Sequence, residues 1–325
     1  MMIKSIKSLA LCGVALAACC TSAAAAAEQW QPTKPIRIVV PIVGSTNDIL
    51  ARLVAPELEA ALGQPVIVEN KGGGGGLIGT SEVVRAKPDG YTLLVGFNGP
   101  ISINPTLLPQ TSYDPKKDLA PITLAVRGPQ FLVVNSKVPV KTLEEFIALA
   151  KTRNLSYASV SVGSSSHLTM EMLKLAAHIK MTHVPYRGAG PAVVDLVGGQ
   201  VDAAFLVPGN IQQYARDGRA RLLATSGEQR FPSAPDVPTV AERGFSGFNA
   251  TSWIGFLAPA GTPPNIIDRL NKEFVRILRS DAVHKQLEEM EFEVVASTPQ
   301  EFSQWISDDT ERWAKVIKAA HVTAN

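Results

Sequence analysis

From Pro35 onward the chain alternates short β-rich runs with segments of helical periodicity. Ile36-Arg37-Ile38-Val39-Val40 and Val66-Ile67-Val68 read as strands, and between them Asp48 to Leu62 sets Ile49, Leu53 and Leu58 near one helical face, with a stop at Gly63. Pro56 inside that pattern predicts a bend or a break, because it lacks an N–H and its ring crowds the preceding turn. Further strands are expected at Tyr91 to Gly96, Phe131 to Val134, Leu155 to Ala158, His183 to Pro185, Val201 to Val207 and Arg221 to Thr225. Helices separate most of them. Thr142-x-x-Glu145 and Thr298-x-x-Glu301 have the form of capping boxes, and Pro263-Pro264 opens a helix that ends near Leu278.

Strand–helix alternation implies an α/β chain with mainly parallel sheets, whose ligands sit where strand ends lead through loops into helix N-termini. Four such loops occur: Pro41 to Asp48, Asn70 to Gly79, Ser159 to His167 and Tyr186 to Pro191. Two lie in the first third and two in the middle, so a cleft between two domains would gather all four. Gly74-x-Gly76-x-x-Gly79 formally fits the dinucleotide fingerprint, but a run of five glycines fits many templates. No acid closes a second strand beyond it, and no Gly-Lys-Ser/Thr follows, so a tight turn exposing backbone N–H groups is the better reading.

Gly163-Ser164-Ser165-Ser166-His167 departs from the serine-hydrolase elbow at its last position. It offers hydroxyls and free N–H groups at the start of a Leu168 to His178 helix, where the dipole favours an anion by ~0.3–1 kcal/mol. Plain helix capping by the same serines stands beside that reading. The histidines at 167, 178, 183, 284 and 321 show no metal-binding spacing, and Trp253, Phe256, Trp305 and Trp313 fall on apolar faces as core candidates. The Glu288-Glu289-Met290-Glu291 acids read as a solvated helix face.

Charge and the N-terminus narrow the class. Lys4 and Lys7, an apolar stretch from Leu9 to Ala18 and small residues up to Ala27 make a secretory signal, 1–27, with cleavage after Ala27. Removing it leaves 31 − 2 = 29 basic against 29 acidic side chains and no cysteine. A neutral chain without a basic stripe has no footprint for nucleic acid, and cysteine-built metal sites are excluded. Leu16-Ala17-Ala18-Cys19 also has the form of a lipobox, in which Cys19 would be acylated. No later apolar run approaches the ~20 residues of a membrane span.

Several ordered motifs carry a resemblance. Asp48-Ile49-Leu50-Ala51-Arg52, Gly63-Gln64-Pro65-Val66-Ile67-Val68-Glu69-Asn70, Pro88-Asp89-Gly90-Tyr91-Thr92-Leu93-Leu94, Ser165-Ser166-His167-Leu168, His183-Val184-Pro185-Tyr186-Arg187-Gly188, Gly198-Gly199-Gln200-Val201-Asp202, Asp236-Val237-Pro238-Thr239-Val240-Ala241-Glu242 and Leu257-Ala258-Pro259-Ala260-Gly261-Thr262-Pro263 resemble the Bug family. These are the extracytoplasmic solute receptors of tripartite tricarboxylate transporters. The resemblance implies a periplasmic binding protein of two α/β domains closing on a small carboxylate, with no catalysis and no cofactor. It also implies a monomer that delivers ligand to membrane transporter subunits. The chain would cross between domains near Leu124 to Gly128 and near Phe245 to Ser252, dividing it into 28–126 plus 249–325 and 127–248.

On that pattern Ser164, Ser165 and the helix start around His167 hold one carboxylate while Ser45 and Thr46 approach from the other domain. Ile42, Val43, Phe97 and Leu206 would line the middle, and Gly44, Asn98, Ser161, Gly163, Tyr186 and Gly188 complete the candidate set. The first loop departs from the family's usual form: Pro41 to Asp48 is about one residue shorter, lacks the aromatic and keeps one glycine. Phe205-Leu206-Val207-Pro208 stands where many members carry an acid, so an ammonium on the ligand would lack a counter-ion. An aliphatic or aromatic mono- or dicarboxylate is therefore expected over aspartate or glutamate, with Asp48 and Asp202 the acids that could reverse this. Two alternatives are a sensor presenting its closed form to a membrane histidine kinase and a secreted hydrolase using Ser165 or Ser166 with His167.

Overall fold

The computed structural model describes residues 30–42, 44–108 and 111–324. Both signal readings and Val43 lie outside them. A first set of elements comprises β1 (Ile36–Val40), α1 (Thr46–Leu62), β2 (Val66–Asn70), α2 (Leu77–Val84), β3 (Thr92–Phe97), the single turns α3 (Asn104–Leu107) and α4 (Pro115–Asp118), and β4 (Leu119–Pro129). The chain then builds β5 (Phe131–Asn135), α5 (Leu143–Thr152), β6 (Leu155–Ser159), α6 (Ser165–Ala177), β7 (Met181–Pro185), α7 (Ala189–Gly198), β8 (Ala203–Leu206), α8 (Pro208–Arg216) and β9 (Ala220–Thr225). It returns through β10 (Thr251–Pro259), α9 (Pro264–Leu278), α10 (Asp281–Glu289), β11 (Glu293–Val294) and α11 (Pro299–Ala319).

These strands form two sheets, ordered β11-β4-β10-β3-β1-β2 and β7-β6-β8-β5-β9. Each is mixed where the sequence predicts mainly parallel pairing. β1 pairs parallel with β2 and β3, and β6 with β7 and β8, as helical crossovers require. The ladders of β10 with β3 and β4, and of β5 with β8 and β9, are antiparallel. The reason is the route of the chain. β4 runs out of the first sheet and passes through Gln130 alone into β5, whereas β10 re-enters from the second sheet and must run the opposite way.

β4 and β10 were not among the expected strands, and Leu124 to Gly128 lies inside β4. Their partners settle the conformation: Thr251↔Pro129 through Pro259↔Leu119 makes one long ladder with two register shifts. Pro56 neither breaks nor ends α1, which continues to Leu62 with Gly63 as its left-handed C-cap. Pro56 is exposed, so the carbonyl it leaves unpaired one turn back is open to water. The Thr298–Glu301 box is reciprocal, while at Thr142 the Glu145 carboxylate accepts from Lys141 N–H instead.

Ile36, Ile38, Leu93, Val95, Phe256 and Phe274 anchor the core of the first sheet. The second sheet's core is not self-contained, since Leu168, Met170 and Phe205 share one apolar cluster with Ile103, Leu107 and, on α11, Trp313, Val316 and Ile317. The C-terminal helix thus ties both halves together by apolar burial.

Candidate functional site

The four loops emerge at the carboxyl ends of the parallel strands, and a chain of contacts links them. Pro41 touches the α2 glycine Gly79, where an added Cβ would lie 3.1 Å from its Cα. Gly76, with φ +97°, presses on the Phe97 ring at the end of β3, leaving a Cβ only 3.0 Å of room. One glycine of the run is therefore needed both for its backbone angle and for close approach. Phe97 pairs with Ile254 of β10, and two residues earlier Ser252 Oγ meets Ser165 Oγ at 3.1 Å, joining the first sheet to the start of α6. Within the second domain, Tyr186 N–H donates to Ser159 carbonyl and Gly188 N–H to Val160 carbonyl, both at 2.9 Å.

The serines divide their work. Ser164 is the N-cap of α6: its hydroxyl accepts from His167 N–H at 3.3 Å and donates to the Ser161 carbonyl at 2.7 Å. Ser166 Oγ is buried and accepts from Val160 N–H at 3.1 Å. Ser165 alone reaches across the seam. The backbone N–H groups of Ser165 and Ser166, in the first turn, have no intrahelical acceptor and are available to an anion. The capping hydroxyl and the unpaired first-turn N–H groups are thus different atoms of one segment.

Several expected contacts are structural instead. Leu206 is 1% exposed and packs with Phe131, Ala204 and Ile211, because β8 lies between β6 and β5 and this face is covered by helices; it lines no cleft in this conformation. Asn98 is buried, accepting from Trp253 N–H at 3.0 Å and donating to Thr251 carbonyl at 3.3 Å and Asp309 at 3.1 Å. His167 is buried with its Nδ1 taken by Gly163 N–H at 3.1 Å, and burial pushes its imidazole down to about 3. Tyr186 donates its hydroxyl to Asp195 at 2.7 Å, and burial is the main cause that pushes the phenol up to about 12. Ser45 starts α1 without a side-chain cap, its hydroxyl donating to Ile42 carbonyl at 2.9 Å, beside exposed Gly44 at φ +64°.

The acids that could have held an ammonium are engaged. Asp48 accepts from Asn70 at 2.8 Å and pairs with Arg52 at 3.1 Å, and Asp202 accepts both the N–H and the hydroxyl of Ser156. Two buried polar residues escaped sequence reasoning. Asn47 is buried with an unpaired amide nitrogen in the first turn of α1. Gln130, 1% exposed at the crossover, donates to Ser252 at 3.0 Å and keeps an unpaired oxygen. Gln130 had a signal, a polar residue directly ahead of the apolar run Phe131 to Val134, whereas Asn47 in the polar stretch Ser45 to Asp48 had none. Among the described residues no cluster of three potential metal ligands occurs.

A two-sheet α/β chain with glycine and serine loops gathered at the junction fits a receptor, and the comparison with known proteins decides which kind. The family model of the tripartite tricarboxylate transporter family receptor matches residues 50–322. The chain belongs to this family.

Similar members include protein BugT of Bordetella pertussis, 36% identical over 95% of this chain and 96% of that one. Among solved structures, the R. palustris protein Rpa4515 with adipate is 33% identical at a TM-score of 0.82, covering 90% of this chain and 99% of that one. MatC from Rhodopseudomonas palustris with bound malate is also 33% identical, with a TM-score of 0.77 and coverage of 88% and 99%. The family comprises periplasmic substrate-binding receptors rather than enzymes, which sets the hydrolase alternative aside. No described helix is long and apolar enough to cross a membrane.

Proposed function

We propose that this receptor captures a small organic carboxylate between its two domains and delivers it to the membrane subunits of a tripartite tricarboxylate-type transporter, acting as a monomer. The observation that carries the reading is the Ser165–Ser252 seam: free helix-start N–H groups lie beside a hydroxyl pair that joins the two halves. The domains divide as 28–126 plus 249–325 and 127–248, with the end of β4, Arg127 to Pro129, still paired in the first sheet and the crossing itself at Gln130. One carboxylate sits on the Ser165 hydroxyl and the N–H groups of Ser165 and Ser166, with the Ser45-Thr46 loop opposing it. Relatives solved with adipate and with malate support a carboxylate ligand. The engagement of Asp48 and Asp202 favours an uncharged body over an amino acid, since an unpaired ammonium would lose several kcal/mol of hydration. Export follows cleavage after Ala27 or, alternatively, acylation at Cys19.

The test is a thermal-shift screen of matched pairs, succinate against aspartate and glutarate against glutamate, followed by calorimetry. Binding stabilises the folded state by mass action, so the hit raises the melting temperature. Ser165→Ala removes a hydrogen bond to charge worth ~1.5–3 kcal/mol, about tenfold to a hundredfold in Kd. Consistent preference for the amino acids, or unchanged affinity in Ser165→Ala, refutes the placement.

A further inference from the structure

Behind the Ser161–Ser164 loop, His167 of α6 and His183 of β7 stack face to face, their ring centroids 3.8 Å apart and their planes 7° from parallel. Tyr157 of β6 continues the stack 4.9 Å from His183. Each imidazole grips one end of the loop. His167 Nδ1 accepts the Gly163 N–H at 3.1 Å, which places the ring proton on Nε2, facing Glu171 Oε1 at 3.8 Å. Ser159 Oγ donates its single proton to the Ser161 carbonyl at 3.0 Å, so at its 2.6 Å contact with His183 Nε2 the ring is the donor. His167 is therefore neutral with its proton on Nε2, and His183, which donates from Nε2, is kept neutral chiefly by burial.

The charges around the stack preserve that state. Glu171 accepts from the Tyr157 hydroxyl and pairs with Lys174 Nζ at 2.6 Å, and its remaining pull on His183 is outweighed by the burial of that ring. Lys174 also lies 5.4 Å from the Tyr157 ring centroid. Burial is the first cause holding both histidines below their ordinary range, and the nearby Lys174 ammonium adds to it.

We propose that His167 and His183 are positioning residues for ligand capture: stacked and neutral, they brace Gly163 and Ser161 so that the N–H groups of Ser165 and Ser166 stay free for a carboxylate. This rests on the capture reading above. The histidine in the candidate ligand set acts through the loop rather than on the ligand. A proton on His167 Nδ1 would set donor against donor at Gly163, so the brace requires the neutral ring.

Two variants separate its elements in the full-length mature protein. His167→Phe keeps a stacking ring and loses the acceptor, whereas His167→Gln keeps a neutral acceptor and loses the ring. Nitrogen-15 NMR of ligand-free protein should show His167 as the Nε2–H tautomer from pH 8 to 5 and His183 as the same tautomer at pH 8. The Gly163 amide should exchange faster in His167→Phe and remain protected in His167→Gln. Adipate and malate are the binding probes, and for whichever binds, His167→Phe should weaken Kd about tenfold, the worth of one lost hydrogen bond, with His167→Gln recovering most of the loss. A His167 that titrates near neutrality, Gly163 exchange unchanged in His167→Phe, or wild-type affinity in that variant overturns the brace. Wild-type protein that binds none of the carboxylates screened overturns the capture reading itself, whatever the ligand-free spectra show.

Discussion

Asp309 offers a direct test of how α11 is fastened to the first sheet. It projects from α11 with no exposed surface, and its Oδ2 accepts from Trp253 Nε1 at 2.7 Å and from Asn98 Nδ2 at 3.1 Å. Oδ1 accepts from Arg312 at 3.3 Å. Burial pushes the carboxyl up, while the donors of Trp253, Arg312 and Asn98 pull it back. In Asp309→Ala the Trp253 indole N–H is left buried without an acceptor, a penalty of ~1–3 kcal/mol. Asn98 retains the Thr251 carbonyl at 3.3 Å, and Arg312, a quarter exposed, can turn to water, so these two losses are smaller. The sum is about 2–4 kcal/mol, below the ~3–5 of a stranded buried charge because no charge is stranded. Asp309→Asn preserves the volume but sets an amide NH₂ among donors, and is expected to cost about 2 kcal/mol. The assay is urea unfolding of the mature protein, followed by tryptophan fluorescence, to which Trp253 contributes with Trp30, Trp305 and Trp313. If both variants unfold within about 1 kcal/mol of wild type, the carboxylate is not the acceptor that holds α11 to the junction.

Two further outcomes are expected. Gly163 has φ +71° and leaves a Cβ only 2.1 Å from Leu107 Cδ2, whereas Gly44 at φ +64° has open space; Gly163→Ala should therefore cost more stability than Gly44→Ala, for which only the ~1–2 kcal/mol left-handed penalty applies, and melting temperatures would show the order. His167, pushed down to about 3 in the folded chain, takes up protons in the unfolded chain near pH ~6.5, so its stabilising effect is complete above that value and is lost as pH falls toward 3. Between pH 7 and 5 the loss is about 2 kcal/mol by linkage, read from urea midpoints, and His167→Gln should abolish that share.

The sequence by itself determined what depends on neighbours along the chain. Alternating apolar runs marked β1, β3, β5, β6, β8 and β9, and the Thr298–Glu301 box fixed the start of α11, because propensity and capping are local. The glycine and serine loops were legible as turns leading into helix starts for the same reason. Tertiary structure decided the rest. β4 and β10 carry Pro121, Gly128 and Gly255 and become strands through their long mutual ladder, a partnership between residues more than a hundred positions apart. Helices cover both faces of β8, so Phe205 packs into one apolar cluster and Leu206 into the other. Ser164, Ser165 and Ser166 are equivalent as letters, yet one caps, one crosses the seam and one turns inward. His167 looked like a ligand because it stands at a helix start; only the packing of β7 against β6 brought His183 onto its ring and fixed it as a neutral support, since burial and stacking are set by what folds back from elsewhere in the chain.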